Sequence, residues 1–332
     1  MPETKGIQFK PETLSKTLVK YRKELIQQLM FAMGPALNHM SALTGIRFKD
    51  VVGSMNGKFE FSNYKKDRRG NGLVSIDGRE IETFFGNCIE PIDPNSIYQS
   101  IWGSNITKGD ALKNVPITKL ICAYIMAQLG ENIFLNLFTA KHVDGEDGTA
   151  NWFNGFKTIL DTDVTAGRIT TADNNLAEIE AITSENAEDV IKDFYWGAEP
   201  VLRSQRLKLY MSDIAYHHYT ESYQLNHGAL PYNQSYDKRT LEGASNVEFV
   251  PLACVPDDFL LLTPRNNIKL LYNQKTDDET FIVEKSLQNH YEVDFIANMF
   301  FGTQFMSVHQ RTLRYGRVKA ASGGTSGTET KE

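Results

Sequence analysis

The chain is 332 residues long, 41% hydrophobic and 23% charged, with a formal net charge of −6. These values exclude disorder and allow one large domain or two ordinary ones. The negative balance excludes a surface devoted to gripping phosphate backbones, which needs uncompensated Lys or Arg gathered on one face.

Cys88, Cys122 and Cys254 are far apart and form no paired spacing. Buried, reduced thiols in a reducing cytoplasm are therefore expected, rather than a disulfide framework or a zinc ribbon. Met1 to Lys10 does not read as a signal peptide, and no apolar run reaches the roughly 20 residues of a membrane span.

In chain order, Leu14, Leu18, Tyr21, Leu25 and Leu29 recur at helical spacing between Pro11 and Gly34-Pro35. They predict an amphipathic helix whose other face, Lys16, Lys20, Arg22 and Lys23, reads as solvated. A short second helix is predicted over Ala36 to Leu43, stopped by Gly45. From Gly57 to Gly86 the period changes to two. Phe59, Phe61 and Tyr64 alternate before a polar tip, Lys65 to Gly72, and Leu73, Ile76, Ile81 and Phe84 return, with a further turn at Asp77-Gly78. A two-stranded ribbon buries too little surface to stand alone in water, so this one must lie on its own core or on another copy.

Pro116 opens the longest helical signal: Ile117, Leu120, Ile121, Tyr124, Ile125, Leu129, Ile133, Leu137 and Phe138. It predicts a rod of about 35 Å. Gly130 within it predicts a close neighbour or a slight bend. Lys141 to Ala150 and Asp161 to Asn175 read as turn-rich stretches. A helix is predicted from near Ser184, with Glu185, Glu188 and Asp189 favouring its positive end and Val190, Ile191, Phe194, Tyr195 and Ala198 facing inward; Pro200 ends or kinks it. Leu207, Leu209 and Met211 predict a short strand. Ser212 or Asp213 then caps a helix whose buried side is Ala215, Tyr216, Tyr219 and Tyr223.

Leu241 to Phe305 is dense in strand signal and nearly bare of catalytic chemistry. Val247 to Leu252, Phe259 to Leu262, Ile268 to Tyr272 and Tyr291 to Phe305 are its predicted strands, separated by turns at Val255 to Asp258 and Thr263 to Asn267. From Ala321 onward the composition predicts a mobile tail.

No Walker loop, nucleophile elbow, His-Glu-x-x-His helix or Cys-x-x-Cys pair occurs in the sequence. Gly70-Asn71-Gly72 fails as a dinucleotide fingerprint because Ser75 stands where the third Gly belongs. Asp144 to Gly148 fails as a calcium loop because Gly155 occupies the closing Glu position. His217, His218, Glu221 and His227 have spacings that could bring imidazole and carboxylate to one metal, but the same spacings produce ordinary surface pairs on a helix. No second helix offers a matching motif, so no metal, cofactor or catalytic residue is assigned.

The order of these parts resembles the tailed-bacteriophage major capsid proteins of the Hong Kong ninety-seven fold. The run Glu199-Pro200-Val201-Leu202-Arg203, then Leu207 to Ser212, then Tyr216 to Tyr223 is similar to that family's helix, strand ending in Ser, and helix. Leu241-Glu242-Gly243 followed by Val250 and Pro256 is similar to its strand and loop around a Glu-Gly pair. Thr263-Pro264-Arg265-Asn266-Asn267 resembles its Thr-Pro-x-Asn-Leu turn, with an extra Asn and Ile268 in place of Leu. Tyr291 to Phe305 is similar to its closing strand. The resemblance covers roughly residues 50–316 and rests on order more than on any one motif.

It implies an α+β capsid fold: an N-terminal arm (1–52), an extended hairpin loop (53–88), a peripheral domain (89–170 and 291–318, with the spine helix over 116–140), an axial domain (171–290) and a disordered tail (319–332). It further implies a major capsid protein that self-assembles in the bacterial host cytoplasm into hexamers and pentamers of an icosahedral virion shell. That shell encloses double-stranded DNA by weak nonspecific contact, with scaffold, portal or decoration proteins as further partners and no membrane. An encapsulin-like compartment is the related alternative, and a metal-dependent hydrolase using His217, His218 and Glu221 the unrelated one. Lys65 and Lys66 sit where some relatives carry an isopeptide-forming Lys, but no acceptor is identifiable and no cross-link is expected.

Overall fold

The computed structural model describes residues 29, 32–46, 48–56, 61, 63–66, 75–92, 117–228, 239–272, 281–289 and 292–319. Most of the predicted N-terminal helix, the hairpin tip from Asp67 to Gly72 and the tail from Ala321 lie outside these residues. In chain order they form α1 (Gly34–Leu37), β1 (Ser41–Thr44), β2 (Lys49–Asn56), β3 (Ser75–Glu82), β4 (Phe84–Ile92), α2 (Ile117–Asn136), α3 (Phe156–Thr165) and β5 (Leu176–Ile179). Then come α4 (Ala187–Trp196), α5 (Pro200–Arg203), β6 (Leu207–Met211), α6 (Asp213–His227), β7 (Thr240–Leu241) and β8 (Ala244–Pro251). The chain continues through β9 (Phe259–Thr263), β10 (Ile268–Tyr272), β11 (Phe281–Lys285), β12 (Val293–Phe305) and β13 (Arg314–Val318).

Contacts divide the chain into two units, Met1–Ile159 with Arg265–Ser307, and Leu160–Pro264 with Val308–Glu332. The first is organised by β12. Phe295, Ala297, Phe301, Thr303 and Phe305 alternate along it and are all buried, as the period of a strand with one covered face requires. Phe301 meets Phe153 edge-on at 4.8 Å and Phe305 meets Phe156 at 5.3 Å between ring centroids. One edge of β12 pairs antiparallel with β10 and β11, the other with β4 from Phe301↔Phe84 to Val293↔Ile92, and β1 adds to β10 in parallel.

The second unit is a six-stranded mixed sheet ordered β5-β13-β9-β6-β8-β7. Every residue of β9 is buried, so both faces of the sheet are covered there. Its Leu260 and Leu262 share a core with Ile191 and Phe194 of α4 and Ala215 and Tyr219 of α6. On β13, Tyr315 lies 5.4 Å from Phe259 and its hydroxyl donates to Asp161 of α3 at 2.9 Å. The β6-turn-α6 junction follows the sequence reading: Ser212 caps α6 by accepting from the Ala215 amide at 2.9 Å, and Gly228 closes it in the left-handed conformation.

Several expectations are corrected. The helix predicted over Ala36 to Leu43 ends at Leu37, and Ser41–Thr44 becomes a strand, because β10 offers it a parallel ladder and the Ser41 hydroxyl donates to the Ile268 carbonyl at 2.9 Å. Asp77-Gly78 is no turn: β3 runs unbroken through it, with Gly78 facing Gly53 of β2. Asp161 belongs to α3, where Phe156 and Leu160 supply a buried i, i+4 pair. The long helix ends at Asn136 rather than Ala140, and its Tyr124 is 67% exposed rather than buried. Strand β11 was not predicted.

The chain crosses between the two units at 159/160, 264/265 and 307/308. Pairing is the reason: β10 is laddered to β12 in the first unit, while β13 is laddered to β9 and β5 in the second. The ribbon likewise starts at Lys49 and ends at Glu82, since Phe84–Ile92 belongs to the β12 sheet.

Candidate assembly surfaces

Among the described residues, β2 and β3 ladder only with each other. The ribbon is held at its base. Arg79 donates from Nε and Nη2 to Gln304 Oε1 at 3.1 and 3.0 Å, and Gln304 Nε2 donates to the Glu80 carbonyl at 2.8 Å. Gly302 allows this approach, because a Cβ there would stand 2.5 Å from the Glu82 carbonyl oxygen. Across the first rung, Thr83 N–H donates to the Phe48 carbonyl at 2.7 Å, and Lys49 pairs with Glu82 at 3.1 Å.

Beyond that base the ribbon offers apolar groups to solvent. Val51 is 62% exposed, and Phe61 and Tyr64 reach 110% and 92%. Beside the base, Phe48 holds φ at +63°, outside the comfortable range of an aromatic residue, and lays its ring 5.3 Å from Phe300; Phe85 lies 4.9 Å from the same ring. Phe48, Phe85 and Ile89 all remain more than half exposed. The sheet of the first unit thus packs one face on its core and leaves an apolar strip on the other.

In the second unit the predicted histidine cluster separates. The exposed His217 Nε2 lies 3.3 Å and the half-buried His218 Nδ1 3.6 Å from the Glu221 carboxylate of α6, whereas His227 Nε2 approaches Glu188 of α4 at 2.9 Å. Among the described residues no group of three or more His, Cys, Asp or Glu is placed to hold a metal. This geometry lends the hydrolase reading no support. Lys65 and Lys66 are exposed on the ribbon.

The feature that sequence reasoning missed is Glu188 itself. Its position predicts a first-turn acid facing the positive end of a helix, yet it is 2% exposed and accepts from Lys192 Nζ, Asn226 Nδ2 and His227 Nε2 at 2.5, 2.8 and 2.9 Å. Burial pushes its carboxyl pKa up, but the hydrogen bonds from Lys192, Asn226 and His227 prevail and hold it at about 2. The i, i+4 spacing to Lys192 was the available signal. Cys122 and Cys254 are buried, which raises their thiol pKa values to about 11 and about 12 and leaves both unreactive near neutral pH.

No protein-family model matches the sequence, and no curated protein matches it. Solved structures do. A chain of the satellite phage P4 procapsid, a structure including the size determination protein, aligns with a TM-score of 0.52 at 13% identity over 89% of this chain and 99% of its own. The cyanophage A-1(L) capsid aligns at 0.52 with 14% identity over 85% and 92%, and the capsid of Myoviridae phage XM1 at 0.50 with 12% over 85% and 90%. The chain has the Hong Kong ninety-seven capsid fold. No helix among the described residues is long and apolar enough to cross a membrane.

Proposed function

We propose that this chain is a major capsid protein, many copies of which assemble into an icosahedral shell around phage double-stranded DNA. The observation that carries the reading is the ribbon, held at its base by Arg79 and Gln304 while Phe61 and Tyr64 face solvent. Two strands alone do not hold in water, and a neighbouring copy supplies the missing surface, with closed symmetry removing the exposed edges. In this reading the first unit is the peripheral part of the subunit, the second the axial part near capsomer centres, and the protein acts structurally rather than as an enzyme. Assembly takes place in the bacterial host cytoplasm and the product is the virion capsid, with scaffold, portal or decoration proteins as further partners.

A net charge of −6 suits a container whose genome is neutralised largely by counterions and must later leave. The test is assembly of the purified protein followed by light scattering and electron microscopy, and shell-sized closed particles are expected. Protein that stays monomeric across concentration and salt overturns the proposal.

A further inference from the structure

In the second unit, arginines gather where α4 ends. Arg203 donates from Nε to the Ala198 carbonyl at 3.0 Å, and Arg314 donates from Nη1 to the Gly197 carbonyl and to Asn174 Oδ1, the latter at 2.7 Å. Both cations thus sit at the negative end of a helix. Gly197 admits the second of them, since a Cβ there would stand 2.6 Å from Arg314 Nη2. The Arg203 guanidinium also lies over Trp196, 5.3 Å from the ring centre, and that indole is 54% exposed.

Two further arginines stand beside this pair. Asn246 Nδ2 donates to the carbonyls of Arg203 and Gln205 at 2.6 and 2.7 Å and so fixes the turn between α5 and β6, whose last residue is Arg206. Gln205 Nε2 donates to the Arg311 carbonyl at 3.0 Å, which ties that turn to the one over residues 309–312, where the Thr312 amide donates to the His309 carbonyl at 2.8 Å. Arg206 and Arg311 are both exposed.

What sets this group apart is the lack of compensating charge. Elsewhere in the unit Arg168, Lys192 and Lys208 are each paired with a carboxylate. Among the described residues no such pair neutralises Arg203, Arg206, Arg311 or Arg314, although Asp193 and Glu199 lie on the same segments. Burial lowers the pKa of Arg314, the direction expected of a cation with no anion to balance it. A chain with a net charge of −6 therefore carries a local positive patch. Its cations are all guanidiniums, which keep their charge and meet phosphate oxygens in pairs through a planar fork of donors.

We propose, resting on the container reading for the polyanion, that Arg203, Arg206, Arg311 and Arg314, braced by Trp196, form the surface of this chain that meets the phosphate backbone of double-stranded DNA. The patch is small, so each copy neutralises few phosphates and binds weakly, without regard to base sequence.

Binding of a short fluorescent DNA duplex to the dispersed full-length chain, followed by anisotropy across a salt series, tests the patch. Log affinity is expected to fall linearly with log salt concentration. Arg206→Ala and Arg311→Ala should each weaken binding alike for two duplexes of unrelated sequence and reduce the steepness of that line by about one, and the double variant by about two. Both side chains are exposed and lack ion-pair partners, so their loss does not threaten folding. Lys141→Ala, at an exposed lysine of the first unit, should leave affinity and steepness at their wild-type values. Unchanged steepness in the double variant overturns the proposal, as does a loss confined to one duplex sequence or an equal loss in Lys141→Ala. Tighter binding of poly-glutamate than of the duplex, abolished by the same double variant, also overturns it, by assigning the patch to an acidic protein. Light scattering under assembly conditions separates this result from the container reading. Shells together with unchanged steepness count against the patch alone, and the expected loss of steepness in a chain that never forms shells counts against the container alone.

Discussion

Glu188 shows how one side chain can be both buried and charged. A carboxylate removed from water is costly unless donors replace its hydration, and here Lys192, Asn226 and His227 supply them from two helices. The sign of the consequence follows from the direction of the shift. The folded-state pKa, about 2, lies below the ordinary 4.5, so the group contributes stability in full above the unfolded value and loses it as pH falls through that window. The contribution is about 3 kcal/mol at most. Glu188→Gln should therefore flatten the fall in stability between about pH 5 and pH 2, measured by denaturant unfolding of the dispersed subunit. An unchanged pH profile would mean that the carboxylate is not held in this way. Gly130 illustrates a different residue-scale effect. Its helix penalty of about 1 kcal/mol relative to Ala is accepted because Leu29 and Ala32 pass directly over it.

At the scale of elements, the ribbon depends on one amide side chain. Gln304 accepts from Arg79 and donates to Glu80, so it closes the base of β3 onto β12 from both directions. Gln304→Ala should leave the β10–β12 ladder intact while raising amide exchange across β2 and β3 in the dispersed subunit by about tenfold, the equivalent of one to two ordinary hydrogen bonds. Unchanged exchange would place the anchor elsewhere. The long helix, the Ser212 cap and the alternation of β12 were legible in the sequence because their periods and caps are local. What escaped reading depended on distant partners. Ser41–Thr44 is a strand only because β10 lies beside it, two of the three donors to Glu188 come from a helix more than thirty residues away, and the base of the ribbon is set by where β4 joins β12. Of the candidate site, the projecting hairpin was visible as a pattern. The strip of Phe48, Phe85 and Phe300 was not, since it is assembled from three separate segments.

At the scale of the whole molecule, the question is where the free energy of the ribbon resides. Phe61 and Tyr64 are almost fully exposed in the single chain, so their removal should cost the isolated subunit little, within the roughly 0.5 kcal/mol typical of surface changes. If, as proposed, the ribbon is the contact between copies, the same rings become buried on assembly, and each buried aromatic then contributes on the order of 2 kcal/mol. This contribution repeats in every copy and is linked to association, so it appears as a concentration-dependent stability of the assembled form. The double variant Phe61→Ser, Tyr64→Ser should leave the melting temperature of dispersed subunits unchanged while lowering that of particles, or preventing their formation at concentrations where the wild-type chain assembles. Calorimetry on the two forms measures both quantities. An equal drop in both would locate the rings within the subunit's own fold, and the ribbon would then lose its role as the contact between copies.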